Sequence, residues 1–259
     1  MAITHIETIL GADGSATAVT STSASFTAAR SGFVCGLFVD LGSTNALTSV
    51  TDDQSNTYSL VTAITDSTNN GVIQLFYKEN VTSVTTVTAH FTSSAQVRVA
   101  ISNYTGIATA SAIDGHTGQV QTTPGTGANI VTTGTFTPTT NGDLIYGGCS
   151  EAFGGAIVYT AGTSPNAFTQ RASNTGAEND ALFTEDFIQS TAASIAATMG
   201  QTANFTTMSA VAAFKAAVSG APVVSKIIDL PFPAFRPDRS YIYTKPIINN
   251  QVLFSQILT

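Results

Sequence analysis

Tryptophan is absent from this 259-residue sequence, and charge is scarce: Asp, Glu, Lys and Arg together supply 10% of it, against roughly 25% in an ordinary soluble domain. Without tryptophan the chain lacks the ring best suited to stacking on sugars, which weakens any glycosidase reading. Only nine basic residues stand against sixteen acids, for a net charge of -7. That balance excludes non-specific nucleic-acid binding, which needs a basic face to displace phosphate counterions. No run approaches the ~20 apolar residues of a membrane-spanning helix. The opening MAITHIETILGADG has neither the basic region nor the continuous apolar core of a signal peptide, so a chain made in a cytoplasm and left there, or exported inside something else, is expected. Recurrent catalytic signatures are missing as well: no Gly-x-Ser-x-Gly elbow, Walker loop, His-Glu-x-x-His or Cys-x-x-Cys occurs. No enzyme activity and no cofactor are expected.

What is present favours sheet. Hydrophobic residues make up 43% of the chain, enough for a sizeable core. The remainder is dominated by Thr, Ser, Ala, Gly and Asn, a soluble coat of low charge common in adhesive proteins and subunits of large assemblies. Ser49 to Tyr104 carries the clearest pattern, with strand-like runs at Thr57–Ile64, Gly71–Lys78, Val84–Phe91 and Val97–Tyr104. Polar turns separate them, among them Asp52-Asp53-Gln54-Ser55-Asn56 and the hairpin dipeptide Asn70-Gly71. Val97, Val99 and Ile101 alternate with Arg98, Ala100 and Ser102, which predicts a half-buried strand. Phe33 to Leu41 puts Phe33, Cys35, Leu37, Val39 and Leu41 on one face and Val34 and Phe38 on the other, predicting a strand covered on both sides.

Elsewhere, Ile3–Leu10 reads as an N-terminal arm or edge strand, and Thr17–Ala29 as a strand rich in β-branched hydroxyl residues. Thr105–Asn129 reads as a long irregular crossing. Ile130–Thr137 and Asp143–Cys149, joined through Asn141-Gly142, read as a hairpin; Ile157–Tyr159 is a short apolar run, and Ala181–Gln189 and Phe205–Phe214 follow as strands, while Thr191–Met199 has the alanine content of a helix but its serines and threonines favour strand. About ten to twelve strands without a helix predict an all-β fold, a two-sheet β-sandwich or jelly roll.

Composition changes at Ser219. Five of eight prolines lie beyond it, with four basic residues (Lys226, Arg236, Arg239, Lys245) against two acids (Asp229, Asp238), net +2. The chain before it has five basic residues against fourteen acids, net -9. This density of proline excludes regular helix and central strand, yet Phe232, Phe235, Tyr241, Tyr243 and Phe254 make the segment too apolar for an ordinary linker. The expected organisation is an N-terminal arm or edge strand (1–16), a β-sandwich body (17–218) and an extended proline-rich C-terminal arm (219–259). Phe232, Phe235, Arg236, Arg239, Tyr241, Tyr243 and Phe254 are the expected assembly residues of that arm.

Few residues invite chemistry. His5, His90 and His116 are scattered, with no second metal ligand at suitable spacing. Asp52-Asp53 and Glu185-Asp186 are paired acids, read as turn or surface groups because neither brings the oxygen donors calcium needs nor an aromatic cleft. Cys35 and Cys149 each sit in an apolar run; buried free thiols are the favoured expectation, with a disulfide open only if those strands are neighbours. The sequons at Asn80, Asn103 and Asn204 carry no weight in a chain this rich in threonine.

The segments VTDDQSNTYSLV, LFYKENV, TTVTAHF, VRVAISNYTGIATASAIDG, NGDLIYGG and SAVAAFK occur in that order. Together they resemble a β-sandwich module that recurs in bacteriophage structural proteins and bacterial surface proteins, over Ala18 to Ala217. Ser55 stands where that pattern has glycine, and Asn103-Tyr104-Thr105-Gly106 replaces its acidic version. The resemblance implies architecture and setting, with no active site to carry over. The expected role is a virion subunit, a head decoration or minor capsid protein, homo-oligomeric and bound to other virion proteins. The alternative is a tail-associated or carbohydrate-binding adhesin that meets a host-surface glycan near Tyr104 or Tyr159.

Overall fold

The computed structural model describes residues 1–12, 19–41, 47–151, 157–174 and 181–218, and in the C-terminal segment 242–244, 247–248, 251–252 and 255–257. The chain divides into two units, Met1–Ser219 and Gly220–Thr259. The described residues are all-β: every regular element is a strand, and the sheets are built of antiparallel pairs.

The first sheet uses β1 (Thr4–Ala12), β2 (Val19–Leu41), β3 (Leu47–Asp52), β4 (Ser59–Asp66) and β5 (Gly71–Thr105). Along β2 the partner numbers in β5 fall as the chain advances, from Ser21↔His90 to Leu41↔Gly71, so the two run in opposite directions. Phe33 to Leu41 also faces Tyr104 to Gln96 on its other side, which places this run between two neighbours. The long β2–β5 ribbon bends where Gly32, Asn80 and Ser83 take positive φ. Phe38 and Phe91 show the consequence: their rings are 4.6 Å apart, although Phe91 adjoins His90, whose partner Ser21 lies seventeen residues before Phe38. The ribbon therefore folds back on itself and encloses Phe26, Val34, Phe38, Val50, Phe76, Val84, Val87, Val99 and Ile101.

The opposite face of the same run, with Phe33, Cys35, Leu37 and Val39, joins Leu144, Tyr146, Leu182, Met208, Ala210, Ala212 and Phe214 in a second core. Those partners come from the second sheet, ordered β10 (Thr169–Ser173), β11 (Leu182–Gln189), β8 (Asp143–Glu151), β13 (Thr207–Phe214) and β6 (Ile113–Gln121). Its far face, with Ile145, Cys149, Phe183, Val211 and Ala213, forms a third core with Val131, Tyr159, Ile195 and Met199. Over that face lies a small sheet of β7 (Gly127–Thr132), β12 (Thr198–Gln201) and β9 (Tyr159–Thr160). Period-two alternation in β2, β8 and β13 thus supplies a different core on each side.

Several sequence expectations change. Thr105–Asn129 is not an irregular crossing, since it contains β6, whose polar IDGHTGQVQ is half-buried at the sheet edge beside β13. Asn141-Gly142 joins no hairpin: β7 belongs to the small sheet and β8 to the second. Of Thr191–Met199 only the Ile195 bridge to Phe136 and the start of β12 are strand-like. The Val97–Tyr104 run is buried on both faces, Arg98 and Ser102 included. Ile3–Leu10 is the edge strand β1, paired with Arg98–Thr105. In the second unit, the segment expected to be extended pairs with itself beyond Ile242.

Candidate functional site

Acids are the groups to follow, because most of the body's polar chemistry lies in them. Asp40, Asp52, Asp66, Asp143, Glu151, Glu185 and Asp186 are all buried. Along β11 successive side chains leave opposite faces, so the neighbours Glu185 and Asp186 reach different cores. The expectation that this pair lies on the surface is corrected: their exposures are 0% and 3%.

Asp186 lies on the side shared with the first sheet. Its Oδ2 accepts hydrogen bonds from the Tyr104 hydroxyl (2.7 Å) and from Arg171 Nε (2.7 Å). Tyr104 belongs to β5 and Arg171 to β10, so one carboxylate ties the two sheets together. Nearby, His5 Nε2 is 2.7 Å from Thr8 Oγ1, which is 2.8 Å from Ser102 Oγ, and Ser102 donates to the Tyr146 hydroxyl at 3.4 Å. Burial, together with the Arg171 charge, lowers the His5 pKa. A histidine beside a hydroxyl can act as base and nucleophile, but this relay ends at Ser102 and Tyr146, both fully buried. Its effect is to hold β1 in register.

Glu185 lies on the side of the small sheet. Oε2 accepts the Gly162 amide at 2.9 Å, while Oε1 is buried without a partner. Burial pushes its pKa up to about 8, against the lowering effect of that amide. Gly162 is seated so closely that a Cβ would overlap the Thr198 carbonyl. Glu151, on the neighbouring strand β8, accepts the Ala181 amide at 2.8 Å. These carboxyls fasten loops over the third core and do not line a cleft with a nucleophile.

Acids in turns behave alike. Asp52 Oδ1 accepts the amides of Gln54 and Asn56 (3.0 and 2.9 Å), and its Oδ2 accepts the Tyr58 hydroxyl at 3.1 Å. Asp53 accepts the amides of Thr85 and Thr86. Burial alone would raise its pKa, but the Thr85 hydroxyl, which also donates to it, and then these amides hold it at about 2. Asp114 accepts the amides and hydroxyls of Thr139 and Thr140, with Lys215 Nζ 3.6 Å away. Beside it Asp143 is driven up to about 6, by burial first and by Asp114 after the opposing Thr140 hydrogen bond. Asp114 is saturated by donors and offers a cation little. No cluster of three or more His, Cys, Asp or Glu able to hold a metal occurs among the described residues.

Next to this acid pair an open groove of about 540 Å³ is lined by Met1, Ala108, Ala110, Lys215, Ala217 and Val218, among others. The strap beneath it is tied by backbone bonds from Ala108 to Lys215 and from Ala217 to Gly106. Its last described residue, Val218, is 92% exposed.

Phe232, Phe235, Arg236, Arg239, Tyr241 and Phe254 lie outside the described residues, and Tyr243 is placed only as a member of a short strand. The tyrosines suggested for glycan contact, Tyr104 and Tyr159, are core residues at 1% and 2% exposure, and burial first raises both pKa values. Cys35 and Cys149 are buried free thiols in different cores. Buried acids escaped the sequence reading because polarity was taken for exposure; the signal available was their place inside period-two runs, as in LFTEDFIQ.

No family model, no curated protein and no solved structure matches this chain.

Proposed function

We propose that the chain is a structural subunit of a bacteriophage virion, a head decoration or minor capsid protein, whose two-sheet β-sandwich body is attached to the particle through the C-terminal arm. The observation that carries this reading is the change at Ser219. Before it, basic groups are held by the body's own acids: Arg30 by Glu7, Arg171 by Asp186, Lys215 by Asp114. The body so closed has a net charge of -9, and the apolar, proline-rich segment that follows carries +2. Among the described residues, the buried acids of the body are held by its own amides, hydroxyls and basic groups, which suits a stiff module. Other copies of the chain and other virion proteins are the partners, and the virion, filled from the host cytoplasm, is the location. The resemblance of the body to phage and surface modules supports the same setting.

Deleting Ser219–Thr259 tests the reading. A truncated body that folds, shown by an unchanged denaturation midpoint, but fails to join particles is the expected result; normal incorporation would sink the proposal.

A further inference from the structure

Where the Thr139–Thr140 turn meets the ends of β6, β8 and β13, two carboxyl groups share one hydroxyl. Thr140 Oγ1 is 2.6 Å from Asp143 Oδ1 and 3.0 Å from Asp114 Oδ2. A hydroxyl has a single hydrogen to give, so both contacts are full hydrogen bonds only when one of the two acids brings a proton of its own.

The surroundings decide which acid holds it. Asp114 accepts the amides of Thr139 (2.7 Å) and Thr140 (2.8 Å) and the Thr139 hydroxyl (2.6 Å), with Lys215 Nζ at 3.6 Å. Each of these favours its charged form. For Asp143 the shared hydroxyl is the sole donor among the described residues, and its Oδ2 is fully buried without a partner. A negative charge is costly in that position. The proton therefore sits on Asp143, which donates to Thr140, while Thr140 gives its own hydrogen to Asp114.

Three pieces of chain meet at this proton. Asp114 lies at the start of β6, Asp143 opens β8, and Lys215 follows β13 and also reaches the Ser111 carbonyl at 3.4 Å. Thr140 and Lys215 belong to the wall of the groove that ends at Val218. Among the described residues, the charged groups acting on Asp143 are Asp114 and Lys215; β11 sets the uncharged Gln189 opposite it in register. One step removed are Glu79 of β5, which accepts the Ser111 amide at 3.1 Å, and the Met1 amino group, which donates to the Ala217 carbonyl at 3.0 Å.

We propose that Asp143, Thr140 and Asp114 form a proton-operated clasp: it is closed while Asp143 carries its proton, and loss of that proton loosens the Thr139–Thr140 turn and with it one wall of the groove. An ionised Asp143 takes the Thr140 hydrogen for itself, so Asp114 loses a donor and gains a like charge beside it. Burial first, and Asp114 after the opposing Thr140 bond, raise the Asp143 pKa to about 6, against ~3.9 for an unfolded aspartate. The contribution of the clasp is therefore complete below the unfolded value and is lost as pH rises through about 6. It belongs to the body alone and does not depend on the virion reading.

Two measurements on the full-length chain test it. In the first, the carbon-13 signal of the Asp143 carboxyl, assigned by its loss in Asp143→Asn, is titrated by NMR and should move with a midpoint near 6. In the second, hydrogen exchange of the Thr139 and Thr140 amides, corrected for the intrinsic effect of pH, should be about tenfold less protected at pH 7.5 than at pH 5, the factor that one pH unit beyond the midpoint supplies. In Asp143→Asn the side-chain amide donates to Thr140 at every pH, so protection should stay high and flat; in Thr140→Val it should be low at both. A carboxyl that titrates in the ordinary aspartate range, equal protection at the two pH values, or a pH dependence that survives Asp143→Asn each overturns the proposal. The two wild-type readings decide it even if a variant fails to fold.

Discussion

Two acidic dipeptides, Asp52-Asp53 and Glu185-Asp186, look alike in the sequence and have different fates in the fold. The first sits at the end of β3 and in the turn after it, where both carboxylates accept amides: Asp52 from its own turn and Asp53 from Thr85 and Thr86. The second sits inside β11, where adjacency means opposite faces and therefore opposite cores. Asp186 has two donors and joins two sheets, whereas Glu185 has one amide and an unpartnered oxygen. An acid's environment is thus set less by its neighbours in sequence than by the period of the element that carries it.

The largest effect should come from Asp186→Ala. It leaves the Tyr104 hydroxyl and Arg171 facing an empty position, with Tyr104 fully enclosed. A loss of about 3 kcal/mol is expected by urea denaturation. If the substitution costs no more than Asp53→Ala at the exposed turn, the contrast between the two dipeptides fails.

Next comes pH. Glu185 holds its proton to about pH 8 in the folded chain, while an unfolded glutamate releases it near ~4.3. The folded state therefore binds more protons over that interval, and stability falls as pH rises through it, levelling off above pH 8. Each tenfold difference in proton affinity is worth about 1.4 kcal/mol. Asp53 has the opposite sign: its pKa of about 2 means that its contribution is complete above the ordinary aspartate range and is lost as pH falls toward 2. Glu185→Gln should flatten the alkaline slope and leave the acid one, as read from denaturation midpoints between pH 3 and 9; an unchanged alkaline slope would assign it to another group.

The smallest effect belongs to the turn. Ser55 has φ of 63°, a conformation that costs a residue with a Cβ more than it costs glycine. Ser55→Gly should raise stability by about 0.5 kcal/mol, the relief being partly offset by glycine's greater freedom when unfolded. A decrease in the midpoint would show that the serine side chain contributes something the backbone conformation does not explain.

Parts of the fold were legible because their signals were local. Phe33 to Leu41 announced two buried faces by carrying large apolar residues on both, and both faces are buried. Asn70, read as a hairpin residue, has φ of 55° between β4 and β5. Other parts were hidden because their signals were not local. β6 reads as loop until β13 is beside it, and Asn141-Gly142 looks like a hairpin turn although its flanking strands enter different sheets. Arg98 and Ser102 mimic a solvent face, but both are buried, Ser102 against Tyr146 of the second sheet. Candidate sites suffered most: Tyr104 and Tyr159, plausible as exposed rings, are spent holding Asp186 and filling the third core.

By itself the sequence determined an all-β chain of low charge, with a compositional break at Ser219, because strand period, turn chemistry and composition act over a few residues at a time. Tertiary structure alone decided where the β2–β5 ribbon folds back, which sheet covers which face, and which acids lie inside. Those outcomes depend on what packs against each face, and no short stretch of sequence contains its own covering layer.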